Sequence, residues 1–206
     1  MDRILYIGQH REVAESMKYL RKGERVTRFG VGLSYNPLSL ICLAIVNVTR
    51  GGLPLCKALA LVPSHAFEVY QIQGQRGSVR NVFFEMTFGG GYRGPMPLAQ
   101  KARWSKARKW RRYDVSWLTM DTTTCEEKYG AALAWIKQGY AYDLLQLYRL
   151  WKEVRLGQPL IHADPEKGTC SEVVAIRAFP HYDFRRGPEV FDAITPYDLK
   201  QRIPRS

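Results

Sequence analysis

Thr169-Cys170-Ser171-Glu172 sets a thiol where a helix should begin. In a Thr-x-x-Glu box the hydroxyl caps a backbone N–H of the first turn while the Glu side chain reaches back to the cap. Val173, Val174, Ile176 and Phe179 then supply an apolar face until Pro180 ends the pattern. Cys170 therefore falls in the first turn, where unpaired N–H groups and the positive dipole end stabilise a thiolate, the nucleophilic form of sulfur. A buried thiol that merely opens a helix carries the same signature, so a base is the next requirement. Of the four histidines, His10 lies in a charged segment, and His162 and His181 fall in polar loops containing Asp and Pro. His65, in Pro63-Ser64-His65-Ala66-Phe67-Glu68-Val69, starts a strand and shares one face with Phe67 and Val69 by the two-residue period. Glu68 points to the other face. Glu85 is the better partner: pairing about residue 75, between Gly74 and Gly77, sets it opposite His65, and a slip of one residue would turn it away. Only Cys170, among Cys42, Cys56, Cys125 and Cys170, combines a helix start with such an imidazole.

The elements that must position these residues follow from the pattern. Helical character is expected over 11–20 and, after the Gly-rich passage Phe29-Gly30-Val31-Gly32-Leu33, in an apolar helix from Pro37 through Val48. The stretches 58–72 and 79–88 are rich in Val, Phe, Tyr and Ile and predict a hairpin, which Gly89-Gly90-Gly91 ends. A short strand is expected over Tyr113 to Met120. A helix opened by Thr124-Cys125-Glu126-Glu127 should run through about Gln138 and stop at Gly139, and a further helix should span about Tyr142 to Leu156.

Taken in order, Pro63-Ser64-His65-Ala66, Val82-Phe83-Phe84-Glu85, Gly139-Tyr140-Ala141-Tyr142-Asp143, Cys170-Ser171-Glu172-Val173-Val174 and Ile194-Thr195-Pro196-Tyr197-Asp198-Leu199 resemble the circularly permuted, YiiX-like branch of the NlpC-type papain-like cysteine hydrolases. In that branch the His strand precedes the Cys helix. The resemblance spans about Phe29 to Leu199. It implies a permuted papain-like α+β fold, a small antiparallel sheet packed on helices, with Cys170 as nucleophile, His65 as general base and Glu85 orienting the ring. The implied activity is cleavage of an amide bond, as in a peptidoglycan-type peptide, or of an acyl bond, through an acyl-enzyme. The chain departs from the pattern where Gly30-Val31-Gly32 lacks the usual Asp, in a longer hairpin loop, and in residues 1–28, which have no counterpart. Those residues are set apart as an N-terminal extension, with 29–206 as the hydrolase domain.

The composition, with 206 residues and 46% hydrophobic side chains, excludes a mainly disordered chain and leaves material for one core. Thirty-one Lys and Arg against 19 Asp and Glu give a net charge of +12, which favours a polyanionic partner such as nucleic acid, a wall polymer or an anionic membrane surface. The charge concentrates in Lys101, Arg103, Lys106, Arg108, Lys109, Arg111 and Arg112, interleaved with Trp104 and Trp110. That run reads either as a phosphate-binding face with stacking aromatics or as a solvated face that the tryptophans dock to the core. The cysteines have neither disulfide nor metal spacing, and no cofactor or metal is expected. The N-terminus lacks a signal-peptide core, and the longest apolar run is too short to span a bilayer. The expected location is cytoplasmic or virion-associated, a phage particle or lysis system being one route to a wall substrate. From a different class, a nucleic-acid-binding or virion structural protein that keeps the fold without the chemistry fits the same charge.

Overall fold

The computed structural model describes residues 20–35, 62–87, 90–107, 112–143, 167–179 and 194–203. Within them the fold is mixed α+β: a five-stranded antiparallel sheet and four helices. The strands are β1 (Arg25–Tyr35), β2 (His65–Gln73), β3 (Val79–Thr87), β4 (Gly91–Pro97) and β5 (Arg112–Leu118), in spatial order β4-β3-β2-β1-β5. Helix α1 (Leu98–Ala107) joins β4 towards β5, α2 (Thr122–Gln138) follows β5, and a short parallel pair, β6 (Ala141–Tyr142) with β7 (Lys167–Gly168), leads into α3 (Cys170–Ala178). Helix α4 (Pro196–Arg202) comes last.

Both faces of the sheet are covered. On one face Phe29, Val31, Leu33, Tyr70, Ile72, Phe84 and Met86 form the main core with Tyr129 and Leu133 of α2 and Val173, Val174 and Ala178 of α3. On the other, Phe67, Val69 and Phe83 pack with Met96, Leu98, Val115 and Trp117. This double burial explains why the Gly-rich passage is a strand. A Cβ on Gly32 would come within 2.1–2.2 Å of the Phe67 ring, and one on Gly30 would meet Ser116 O at 2.8 Å. The glycines make room for neighbours across the sheet, a use of Gly in strands distinct from loop formation.

Several boundaries differ from expectation. The strand expected from Ala58 begins at His65, and β4, unpredicted, forms straight after the Gly tract because Tyr92 pairs with Met86 and Arg93 with Glu85. The sheet begins at Arg25, ahead of the boundary placed at residue 28. Helix α2 is capped by Asp121, whose side chain accepts from Thr124 N, and not by Thr124; a carboxylate three residues upstream takes the same orphan donor. Tyr142 belongs to β6, and residues 144–156 of the helix expected there lie outside the described residues, as do those of the helices expected over 11–19 and 37–48. Among the described residues no helix is long and apolar enough to cross a membrane.

Candidate active site

The α3 start forms as the sequence indicates. Thr169 accepts from Glu172 N, the Glu172 carboxylate accepts from Thr169 N, and Cys170 is the first helical residue. Two further contacts fix this turn. Ser171 Oγ donates to Ile194 O at 2.7 Å, joining α3 to the approach of α4, and Asp143 N donates to Gly168 O at 3.1 Å, joining β6 to β7. Helix α3 packs against β2 so that its first residue meets the His65 end of that strand. Around the Cys170 sulfur stand the His65 ring and the backbone N–H groups of Ala66 and Ser171, all of which favour its charged form.

His65 Nε2 lies 3.0 Å from Glu85 Oε2. The pair meets by a register other than the expected one. Phe67 stands opposite Glu85, and the loop centres on Arg76, the middle of the turn Gln75–Gly77, where Arg76 itself is left-handed at φ 63°. The displacement is two residues along the partner strand, so His65 and Glu85 are diagonal neighbours. A two-residue shift preserves the face, and diagonal neighbours are within reach of long side chains.

Glu85 accepts from more than His65. Arg93 of β4 donates to Oε1 at 2.7 Å, and Lys101 of α1 donates to Oε2 at 2.5 Å. The Lys101 ammonium also lies over the rings of Phe67 and Phe83, at 4.5 and 4.9 Å from their centroids. This corrects the grouping of Lys101 with the polyanion-binding run, because its amine is buried against the sheet and is not presented to solvent. Arg103 is exposed. Arg112 lies on β5 with its guanidinium over Tyr35, 4.3 Å from the ring centroid. The side chains of Lys106, Arg108, Lys109 and Arg111 lie outside the described residues.

The electrostatics follow from these contacts. Burial opposes charge on Cys170, but the His65 imidazolium and the two backbone donors outweigh it and hold the thiol below its ordinary value. Burial alone would lower the His65 value. The charge and hydrogen bond of Cys170, with the hydrogen bond of Glu85, carry it up to about 9, with Lys101 working against them. Glu85 is buried, which disfavours its charge, yet His65 and Lys101 keep its carboxyl well below the usual carboxylate range. The arrangement sets a thiol of lowered pKa beside an imidazole of raised pKa, with an ionised carboxylate behind the ring. His65 keeps 21% of its side-chain surface exposed and Glu85 only 3%, so solvent reaches the ring but scarcely touches the carboxylate behind it.

Sequence reasoning missed Arg93 and Lys101. Arg93 was readable in principle, since Tyr92-Arg93 after the Gly tract continues the alternation opposite Met86 and Glu85. Lys101 had no local signal, because its contact forms only when α1 folds back over β3. Sequence reasoning also missed a buried cluster on the opposite face, where Glu68 accepts from Arg177, from Tyr70 Oη at 2.8 Å and from Tyr92 Oη at 2.9 Å.

A cavity of about 480 Å³ lies near the C-terminal end of α2, lined by Gly91, Tyr92, Ile136, Tyr140 and Tyr142 among others. Cys170, His65 and Glu85 do not line it. Among the described residues no group of three His, Cys, Asp or Glu side chains is placed to hold a metal ion. Comparison with family models, curated proteins and solved structures found no match to this chain.

Proposed function

We propose that the protein is a cysteine hydrolase of the permuted, NlpC-type papain-like kind, cleaving an amide bond, as in a peptidoglycan-type peptide, or an acyl bond. The observation that carries this reading is the meeting of Cys170, His65 and Glu85 from three distant segments, with His65 hydrogen-bonded to Glu85 and Cys170 at a capped helix N-terminus. Further support comes from the meeting of other segments that carry the resemblance: Ser171 bonds Ile194, and Asp143 bonds Gly168 beside the cap.

The Cys170 thiolate attacks the substrate carbonyl carbon, and the carbonyl π pair moves to oxygen, where the Cys170 backbone N–H at the start of α3 stabilises it. Collapse of that intermediate breaks the bond to the leaving group, which takes the proton from the His65 imidazolium. This leaves a thioester on Cys170 and a neutral ring. A water then gives its proton to His65 as its oxygen attacks the thioester, and departure of the thiolate restores the ion pair and releases the acid. Glu85 positions the ring throughout and stays ionised.

Trapping the thioester tests the reading. After incubation with an activated acyl ester, mass mapping should find the acyl group on the peptide bearing Cys170. Cys170→Ala should lose the adduct, and His65→Ala should form it far more slowly. An adduct elsewhere, or the same rate without His65, would overturn the proposal.

A further inference from the structure

Glu85 is surrounded more heavily than a ring-orienting carboxylate requires. One oxygen, Oε2, accepts from both His65 and Lys101, while Oε1 accepts from Arg93. Burying an amine is costly unless it is paired, and a purely structural lysine needs only some carboxylate. Lys101 instead shares the very oxygen that the proposed base uses, and its approach is fixed by the Phe67 and Phe83 rings beneath it. Resting on the hydrolase reading above, we propose that Lys101 is a positioning residue: it locks Glu85 Oε2 against His65 and offsets the carboxylate's charge, so that the imidazolium can release its proton to the leaving group.

The chemistry requires such an offset. An imidazolium flanked by a thiolate and an uncompensated carboxylate holds its proton tightly and is a poor general acid. The charged groups around His65 are Cys170 from α3, Glu85 from β3, Lys101 from α1 and, through Glu85, Arg93 from β4; β1 opposes it with the uncharged Ser34. Arg93 bonds the oxygen His65 does not use, and 46% of its side-chain surface is exposed, so solvent weakens its influence. Lys101, with 10% of its side chain exposed, acts through little solvent.

The test is Lys101→Met, read by NMR titration of the His65 ring and by the pH dependence of Cys170 alkylation with iodoacetamide. Loss of the buried cation should raise the His65 midpoint by about one pH unit and move the acid limb of alkylation upward with it. Lys101→Arg, which keeps the charge, should return both towards the unaltered values. In the unaltered protein the Lys101 side-chain nitrogen resonance should step at the pH where His65 titrates, a readout available even if Lys101→Met fails to fold. An unmoved His65 midpoint in Lys101→Met, or no step at Lys101, overturns this inference while leaving the hydrolase reading intact. If Cys170 of the unaltered protein shows no thiolate reactivity below its ordinary value of 9.0, the hydrolase reading itself fails.

Discussion

The sulfur and the ring titrate as one unit. Taken alone, His65, raised from 6.5 to about 9, would contribute stability that is present below 6.5 and lost as pH rises through 9. Cys170, lowered from 9.0, would contribute stability present above 9.0 and lost as pH falls. Wherever the folded pair holds one proton on the ring and the unfolded chain holds one on the thiol, the two slopes cancel. There the pair's ionisation has little effect on stability, and under the proposed hydrolase reading its effect is on activity. Turnover should therefore fall as pH rises through about 9, where the imidazolium proton is lost. Cys170→Ser removes the thiolate, the main cause of the raised ring value, and the His65 midpoint measured by NMR should drop from about 9 towards 6.5. A midpoint that stayed at 9 would mean that the sulfur carries no charge beside the ring.

At the scale of elements, β1 has no room for a side chain at Gly30 or Gly32 and sets the floor under the site. Gly32 stands opposite Phe67, whose ring lies under the Lys101 ammonium and is stacked at 6.4 Å from the His65 ring. Gly32→Ala should force Phe67 aside, cost about 1–3 kcal/mol in denaturant unfolding as overpacking does, and slow Cys170 alkylation by disturbing Lys101 and His65. A variant with unchanged unfolding and reactivity would show that Phe67 yields freely. The same strand marks where sequence reading stops. The capped start of α3 was legible because its signal is local, four consecutive residues with a defined hydrogen-bond pattern. His65 with Glu85 was legible as to face, since alternation survives a two-residue shift, but its register was not, because the left-handed Arg76 moves the centre of the loop. β1 was hidden because Gly30 and Gly32 answer to Trp117 and Phe67, which are distant in sequence.

Across the whole molecule, two buried charge systems lie on opposite faces of one sheet. Glu85 faces α1, and Glu68 faces the core, where Arg177 of α3 bonds both Glu68 and Tyr70, the latter at 2.9 Å, and lies over Trp135 of α2. This cluster clamps the far end of α3 to β2 while Cys170 occupies the near end. Arg177→Met leaves Glu68 buried without its counter-charge and should cost about 3–5 kcal/mol. Adding Glu68→Gln should recover part of that loss, and failure to recover would mean that Arg177 contributes through packing alone. The net charge of +12 belongs to the chain as a whole. Lys101 and Arg177 are engaged in these two systems, while Arg103 is exposed.

The central claim is that Cys170 is a thiolate paired with His65. The most direct measurement is brief iodoacetamide labelling of the intact protein near neutral pH, followed by peptide mapping of all four cysteines. Cys170 should be modified far faster than Cys42, Cys56 or Cys125, and His65→Ala should remove the advantage. Equal labelling of the four, or protection of Cys170 alone, would contradict it and leave the charge-driven binding protein as the better reading.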